Sequence, residues 1–119
     1  MNRDYTPFNY SLQSTSNTLN AIFSVATDTE MHLYAVRFSY LCNASGSGIA
    51  NMHVNTGSGI AYYIFYENVS APAGNDTMAV QTLSFPEPII LPAGYSLRIQ
   101  TDSANVECSG FGSGITFNE

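Results

Sequence analysis

The stretch MHLYAVRFSYLC, Met31 to Cys42, decides how the rest of the chain is read. In an extended strand His32, Tyr34, Val36, Phe38, Tyr40 and Cys42 fall on one side, and Met31, Leu33, Ala35, Arg37, Ser39 and Leu41 on the other. The first set is apolar enough to face a core over most of its length. The second is mixed, which suits a strand partly covered by a neighbour or a partner chain. A helix would need apolar residues at a 3.6-residue period, and no sustained segment of this chain has them.

The same pattern recurs on both sides of this stretch. Further strands are expected at residues 18–27, 49–55, 59–67 and 77–85, with short ones at 88–91 and 114–117. In YSLRIQT, Tyr95, Leu97, Ile99 and Thr101 point one way, and the alternation resumes with Ala104, Val106, Cys108 and Gly110. With TDSA as a short turn, residues 95–111 read as a hairpin. In YYIFY (Tyr62 to Tyr66) both faces are apolar or aromatic, the mark of a central strand covered on two sides. FPEPIILPAG packs three prolines close together, so that segment belongs on a sheet edge and turns at Pro92-Ala93-Gly94. About eight strands joined without helices give an all-β fold, an antiparallel β-sandwich or jelly roll. The domain is expected to occupy residues 18–119, behind an extended N-terminal arm of residues 1–17.

GSGI occurs at Gly46, Gly57 and Gly112. A Walker-type phosphate loop needs a lysine after its last glycine, and the chain has none. The copies are too unevenly spaced for a solenoid. The remaining reading places each copy at a strand boundary, where glycine supplies tight turns and bulges.

Composition narrows the function. Of 119 residues 45% are hydrophobic and only 10% charged, against roughly 25% charged in an average domain, so the exterior is polar without being ionic. Nine carboxylates face three arginines, a net charge of -6. Three scattered arginines cannot supply the counterion release that drives nucleic-acid binding, so nucleic acid is not an expected partner. The apolar runs are too short for a membrane-spanning helix, so no membrane is expected, and MNRDYTPFNY lacks the apolar core of a secretory signal, so the protein is expected either to stay in a cytoplasm or to be numbered in its mature form. Cys42 and Cys108 read as two buried thiols or as a disulfide linking two strands.

No catalytic constellation emerges. Asp28, Glu30 and His32 stand at alternate positions and would share a strand face, a donor set that can hold a metal, although a polar turn leading into the strand is the preferred reading. His53 stands alone among apolar and amide residues. No serine lies in a G-x-S-x-G elbow, and Cys108 follows Glu107, which disfavours a thiolate. Neither cofactor, metal nor catalytic residues are expected. The candidates for partner contact are aromatic: Tyr5, Phe8 and Tyr10 of the arm, which pack on the parent domain or on a neighbouring subunit, and Tyr63 and Phe65 of the aromatic strand.

The segment PEPIILPAGYSLRIQTDSANVECSGFGSGITF resembles the final strands of small β-sandwich proteins from tailed-bacteriophage virions. The likeness rests on the apolar turn Pro88, Ile89, Leu91, Pro92, Ala93, Gly94, on Leu97 and Ile99, and on the small-residue strand Ala104 to Gly110. It implies a capsid decoration (cement) protein, or a domain of a fibre or tail, made in the host cytoplasm and located in the virion. Such proteins form symmetric oligomers, here a trimer or dimer, and bind a major capsid protein or another virion protein. The alternative is a carbohydrate- or receptor-binding module of a fibre or tail. Eight tyrosines favour that reading, and the absence of tryptophan counts against it.

Overall fold

The computed structural model describes the backbone of residues 12–15 and 19–118, and side chains from residue 21 to residue 118. Eight strands follow one another: β1 (Leu12–Thr15), β2 (Leu19–Ser24), β3 (Thr29–Cys42), β4 (Ser47–Asn55), β5 (Ile60–Ser70), β6 (Thr77–Leu91), β7 (Ser96–Thr101) and β8 (Val106–Asn118). They form two four-stranded antiparallel sheets, ordered β1-β8-β3-β6 and β2-β7-β4-β5. Only β4 and β5 are consecutive strands paired with each other; every other connection crosses between sheets. That is jelly-roll topology, and it resolves the choice the sequence left open.

The core lies between the sheets. Val36, Phe38 and Cys42 of β3 and Val106 and Cys108 of β8 meet Ala50, Met52 and Val54 of β4 and Leu97 and Ile99 of β7. Burying one such side chain contributes roughly 1.5–3 kcal/mol, so this single layer supplies the main drive to fold. β1 falls within the span read as an arm: its backbone pairs with β8, Leu12 opposite Gly110 and Thr15 opposite Glu107. The hydrogen-bonded structure therefore begins before residue 18.

β3 departs from simple alternation at one residue. Opposite β8, Leu33 pairs with Gly114 and Ala35 with Ser113, so Tyr34 is an extra residue, a β-bulge. The even-numbered face expected inside holds from Val36 to Cys42. Below the bulge the faces exchange, and Met31 and Leu33 are buried while Tyr34 is exposed. β6 accommodates the same point by letting Phe85 to Pro88 run past it between Ser84 and Ile89. The prolines thus sit on an edge strand, as their missing N–H groups require.

Three further expectations are corrected. Residues 95–111 are not a hairpin, since β7 and β8 belong to different sheets. The turn between them is tied to β4 by Asp102, whose Oδ1 accepts from the Ile49 amide at 2.6 Å, and to the end of β3 by the Asn43 amide donating to the Asn105 carbonyl at 2.9 Å. It thereby carries the chain from one sheet to the other. The aromatic strand β5 is an edge strand, with Tyr62, Tyr63 and Tyr66 exposed. Finally, the third GSGI copy is no turn: it lies inside β8, and only the first two copies flank strand ends.

Gly114 shows why. A Cβ there would stand 2.3 Å from the His32 carbonyl oxygen, because the bulged strand presses its backbone onto β8. Gly59, in the β4–β5 turn, has open space around the same atom. Gly114→Ala is therefore expected to lower stability to urea by about 1–3 kcal/mol, and Gly59→Ala to change it by less than about 0.5 kcal/mol. Equal effects would refute the close approach.

Candidate functional site

β4 is buried on both faces from Ala50 to Asn55. Its inner residues join the core, while Asn51, His53 and Asn55 form a polar row on the outer face of their sheet, between β7 and β5. Register places Arg98, His53 and Tyr63 in one cross-strand line, and Gln100, Asn51 and Tyr66 in the next. Tyr63 and Tyr66 meet edge to face at 4.9 Å between ring centroids, and Tyr63 meets the His53 ring at 6.0 Å. Together with Ile49, Asn51, Gln100 and Asp102, the two tyrosines line a depression of about 160 Å³.

His53 lies beneath this surface with no solvent exposure. Its Nδ1 donates to Asn51 Oδ1 at 2.8 Å, and its Nε2 has no hydrogen-bond partner among the described residues. Burial, and secondarily the Arg98 guanidinium, lower its pKa from 6.5 to about 4, so at neutral pH the imidazole is uncharged. His53 is thus part of a polar layer under the tyrosines.

The second exposed feature is the β6 edge. Met78 and Val80 are 73% and 66% exposed, and Leu83 and Ile90 are also exposed. On the outer face of this sheet Met78 pairs with Leu41, Val80 with Ser39 and Thr82 with Arg37. Behind them Ser39 and Ser109 join their hydroxyls, and Arg37 stacks over Phe111 at 5.3 Å. The edge strand is long, apolar and open to solvent, a template for further pairing.

Of the partner-contact candidates, Tyr63 stands on the surface, 47% exposed. Phe65 does not: it is 7% exposed and stacks on Phe38 at 5.6 Å, because alternation past the β5 bulge turns it inward. Tyr5, Phe8 and Tyr10 lie outside the described residues. Tyr66, Met78 and Val80 were missed. Reading YYIFY as a strand covered on two sides hid Tyr66, and only knowledge of which strands are edges exposes it.

Of the acidic set, Glu30 and His32 do meet, Oε1 to Nε2 at 2.7 Å, and His32 packs edge-on against Phe117. Asp28 lies outside that strand, in the preceding turn, at a left-handed φ of 60°. Among the described residues no group of three possible metal ligands stands together. Cys42 and Cys108 are free and buried, and burial pushes the Cys108 thiol up to about 12, which leaves it a packing residue.

No family model matches the chain, and no curated protein matches it in sequence. Among solved structures, two crystal structures of a pentameric capsid protein isolated from metagenomic phage sequences superpose at a TM-score of 0.56 and 18% identity. Each match covers 92% of this chain, but 59% and 62% of theirs, so the chain spans about three-fifths of those proteins. A protein of Bacillus endospore appendages, a family of disulfide-linked pili, matches over 99% of this chain and 91% of its own at a TM-score of 0.42 and 13% identity. At such identities the likeness to the phage capsid proteins is one of fold.

The neutral His53 has a measurable consequence. The unfolded chain takes up a proton below pH 6.5 that the fold refuses until pH falls to about 4. Stability is therefore complete above pH 6.5 and falls as pH drops towards 4, with at most about 3 kcal/mol from this group. Urea titrations across that range should show a shallower loss for His53→Gln than for wild type; parallel curves would show that His53 is not the titrating group.

Proposed function

We propose that this chain is a non-enzymatic structural protein of a virion, specifically a capsid decoration protein that assembles in several copies and docks on a phage shell. The observation that carries this reading is the apolar edge strand β6, with Met78 and Val80 exposed beside Leu41. A monomer that kept such an edge open would invite edge-to-edge pairing, so its presence fits a surface that is covered in an assembly. The exterior supports the same reading. Hydroxyl and amide groups dock over broad areas with little cost in stripped ions, and only 10% of residues are charged. The fold shared with the phage capsid proteins supports the same reading. In this reading its partners are further copies of itself and the major capsid protein, and Tyr63 belongs to the contact surface.

A second reading rests on the depression between Tyr63, Tyr66, Asn51, Gln100 and Asp102, where aromatic edges flank amide and carboxylate groups as in a sugar-binding subsite. It would make the chain a receptor-binding module of a fibre or tail.

One experiment separates the two. The purified protein is expected to sediment as an oligomer and to pellet with shells that lack it, and Val80→Lys is expected to reduce both by at least tenfold without altering the urea midpoint. A monomer that leaves the shells bare would overturn the decoration reading. Glycan-array binding abolished by Tyr63→Ala would select the second.

A further inference from the structure

β6 pairs with β3 along one side, and among the described residues no strand pairs with its other side. The pairable part of that open side has definite ends. Pro86 and Pro88 have no N–H to give, and at the other end Asp76 is tied to the β3–β4 turn, its Oδ1 accepting from the Ala44 amide at 2.9 Å. Between these limits lies TMAVQTLSF, Thr77 to Phe85, with Gln81 at its middle. We infer that this stretch pairs antiparallel with the same stretch of a second copy, about a two-fold axis that sets Gln81 opposite Gln81 and joins the two β1-β8-β3-β6 sheets into one. The inference rests on the reading that β6 is covered in an assembly; it names what covers the strand and in which register.

Three features of the strand select a second copy as the occupant. The first is charge. Copies of a chain with a net charge of -6 repel one another, yet residues 77–85 carry no charged side chain. In the stated register no two carboxylates stand directly opposite, since Asp76 falls against Pro86 and Glu87 against Asn75. The second is size. Pairing with β3 puts Thr77, Ala79, Gln81 and Leu83 on the core side of the sheet, and Phe85 packs partly against the core. An axis at Gln81 sets Ala79 against Leu83 and Thr77 against Phe85, small against large, and symmetry repeats the match. On the outer face Val80 meets Thr82 and Met78 meets Ser84, so both exposed apolar side chains gain a neighbour. Moving the axis by one residue would shorten the pairing or bring Asp76 or Pro86 into it. The third is closure. β6 laid against β5 of the next copy would leave a free edge at each end and propagate as a fibre, whereas β6 against β6 uses up both edges.

One like-charge approach remains, and it marks the register. Gln81 Nε2 donates to Glu67 Oε1 of β5 at 2.7 Å, so pairing about Gln81 brings the two Glu67 carboxylates towards each other across the axis. Their repulsion acts on the pair and not on the separate copies. Removing it strengthens the dimer.

The test mixes two variants of the full-length chain, Val80→Cys and Thr82→Cys. Mild oxidation is expected to link unlike chains, mapped by mass spectrometry, about fivefold or more in excess of either variant linking to itself, because positions 80 and 82 face each other while 80–80 and 82–82 stand two residues out of register. Equal or greater self-linking, or no linkage in a protein that sediments as an oligomer, would overturn the assignment. A second measurement does not depend on oxidation: Glu67→Gln is expected to lower the dimer dissociation constant about twofold or more in sedimentation equilibrium, and an unchanged or raised constant would contradict the register. Pelleting with phage shells keeps the two claims apart. Linked dimers that leave shells bare would uphold the pairing and end the decoration reading, and oligomers that pellet without the 80–82 link would do the reverse.

Discussion

A single extra residue sets the terms for this fold. Strand side chains alternate with an exact period of two, so a strand as long as β3 can keep only one parity inside unless something interrupts it. Tyr34 is that interruption. Above it Val36, Phe38 and Cys42 face the core, and below it Met31 and Leu33 do. Without the bulge, one half of the longest contact in the molecule would present Glu30 and His32 to an apolar interior, a cost of several kcal/mol in unpaired polar groups. The bulge in turn forces the His32 carbonyl onto β8, and Gly114 is the residue that admits it.

The edges follow from the same arrangement. β8 and β3 lie inside one sheet and β7 and β4 inside the other, which leaves β1 and β6, and β2 and β5, as the edge strands; of these, β6 and β5 carry exposed large apolar side chains. β6 exposes Met78 and Val80; β5 exposes Tyr62, Tyr63 and Tyr66. Between the two edges Gln81 donates to Glu67 Oε1 at 2.7 Å, a polar closure that leaves the outer faces unaltered. What the molecule offers to partners is therefore mild and broad: apolar and aromatic side chains set among hydroxyls and amides, with His53 held neutral beneath the tyrosines.

Much of the fold was legible because facing is a local property. Of the set read from alternation, Leu97, Ile99, Thr101, Val106, Cys108 and Gly110 are buried, while Tyr95 is half-buried and Ala104 is exposed in the turn; the turn at Pro92 to Gly94 was legible from its residues, and there the Tyr95 amide donates to the Pro92 carbonyl and Gly94 takes a φ of 86°. Pairing is not local. Two strands that both face inward look alike whether they share a sheet or oppose each other across the core, which is why β7 and β8 read as a hairpin. The same gap hid the status of β5: an apolar residue on both faces marks a central strand or an aromatic edge equally well, and Phe65 and Tyr66 went to opposite sides. The bulge left no signature in β3, since tyrosine is an ordinary strand residue. Its trace stands on the neighbouring strand, in Gly114, which the sequence pattern assigns to a GSGI turn.

The central claim is that chain length at position 34, and not the tyrosine side chain, keeps both halves of β3 in the core. Thermal unfolding of a chain with Tyr34 deleted, beside Tyr34→Ala at full length, tests it directly. The account predicts that the deletion abolishes the cooperative transition while the substitution keeps it. A deletion variant that still melts cooperatively at the parent temperature would contradict it.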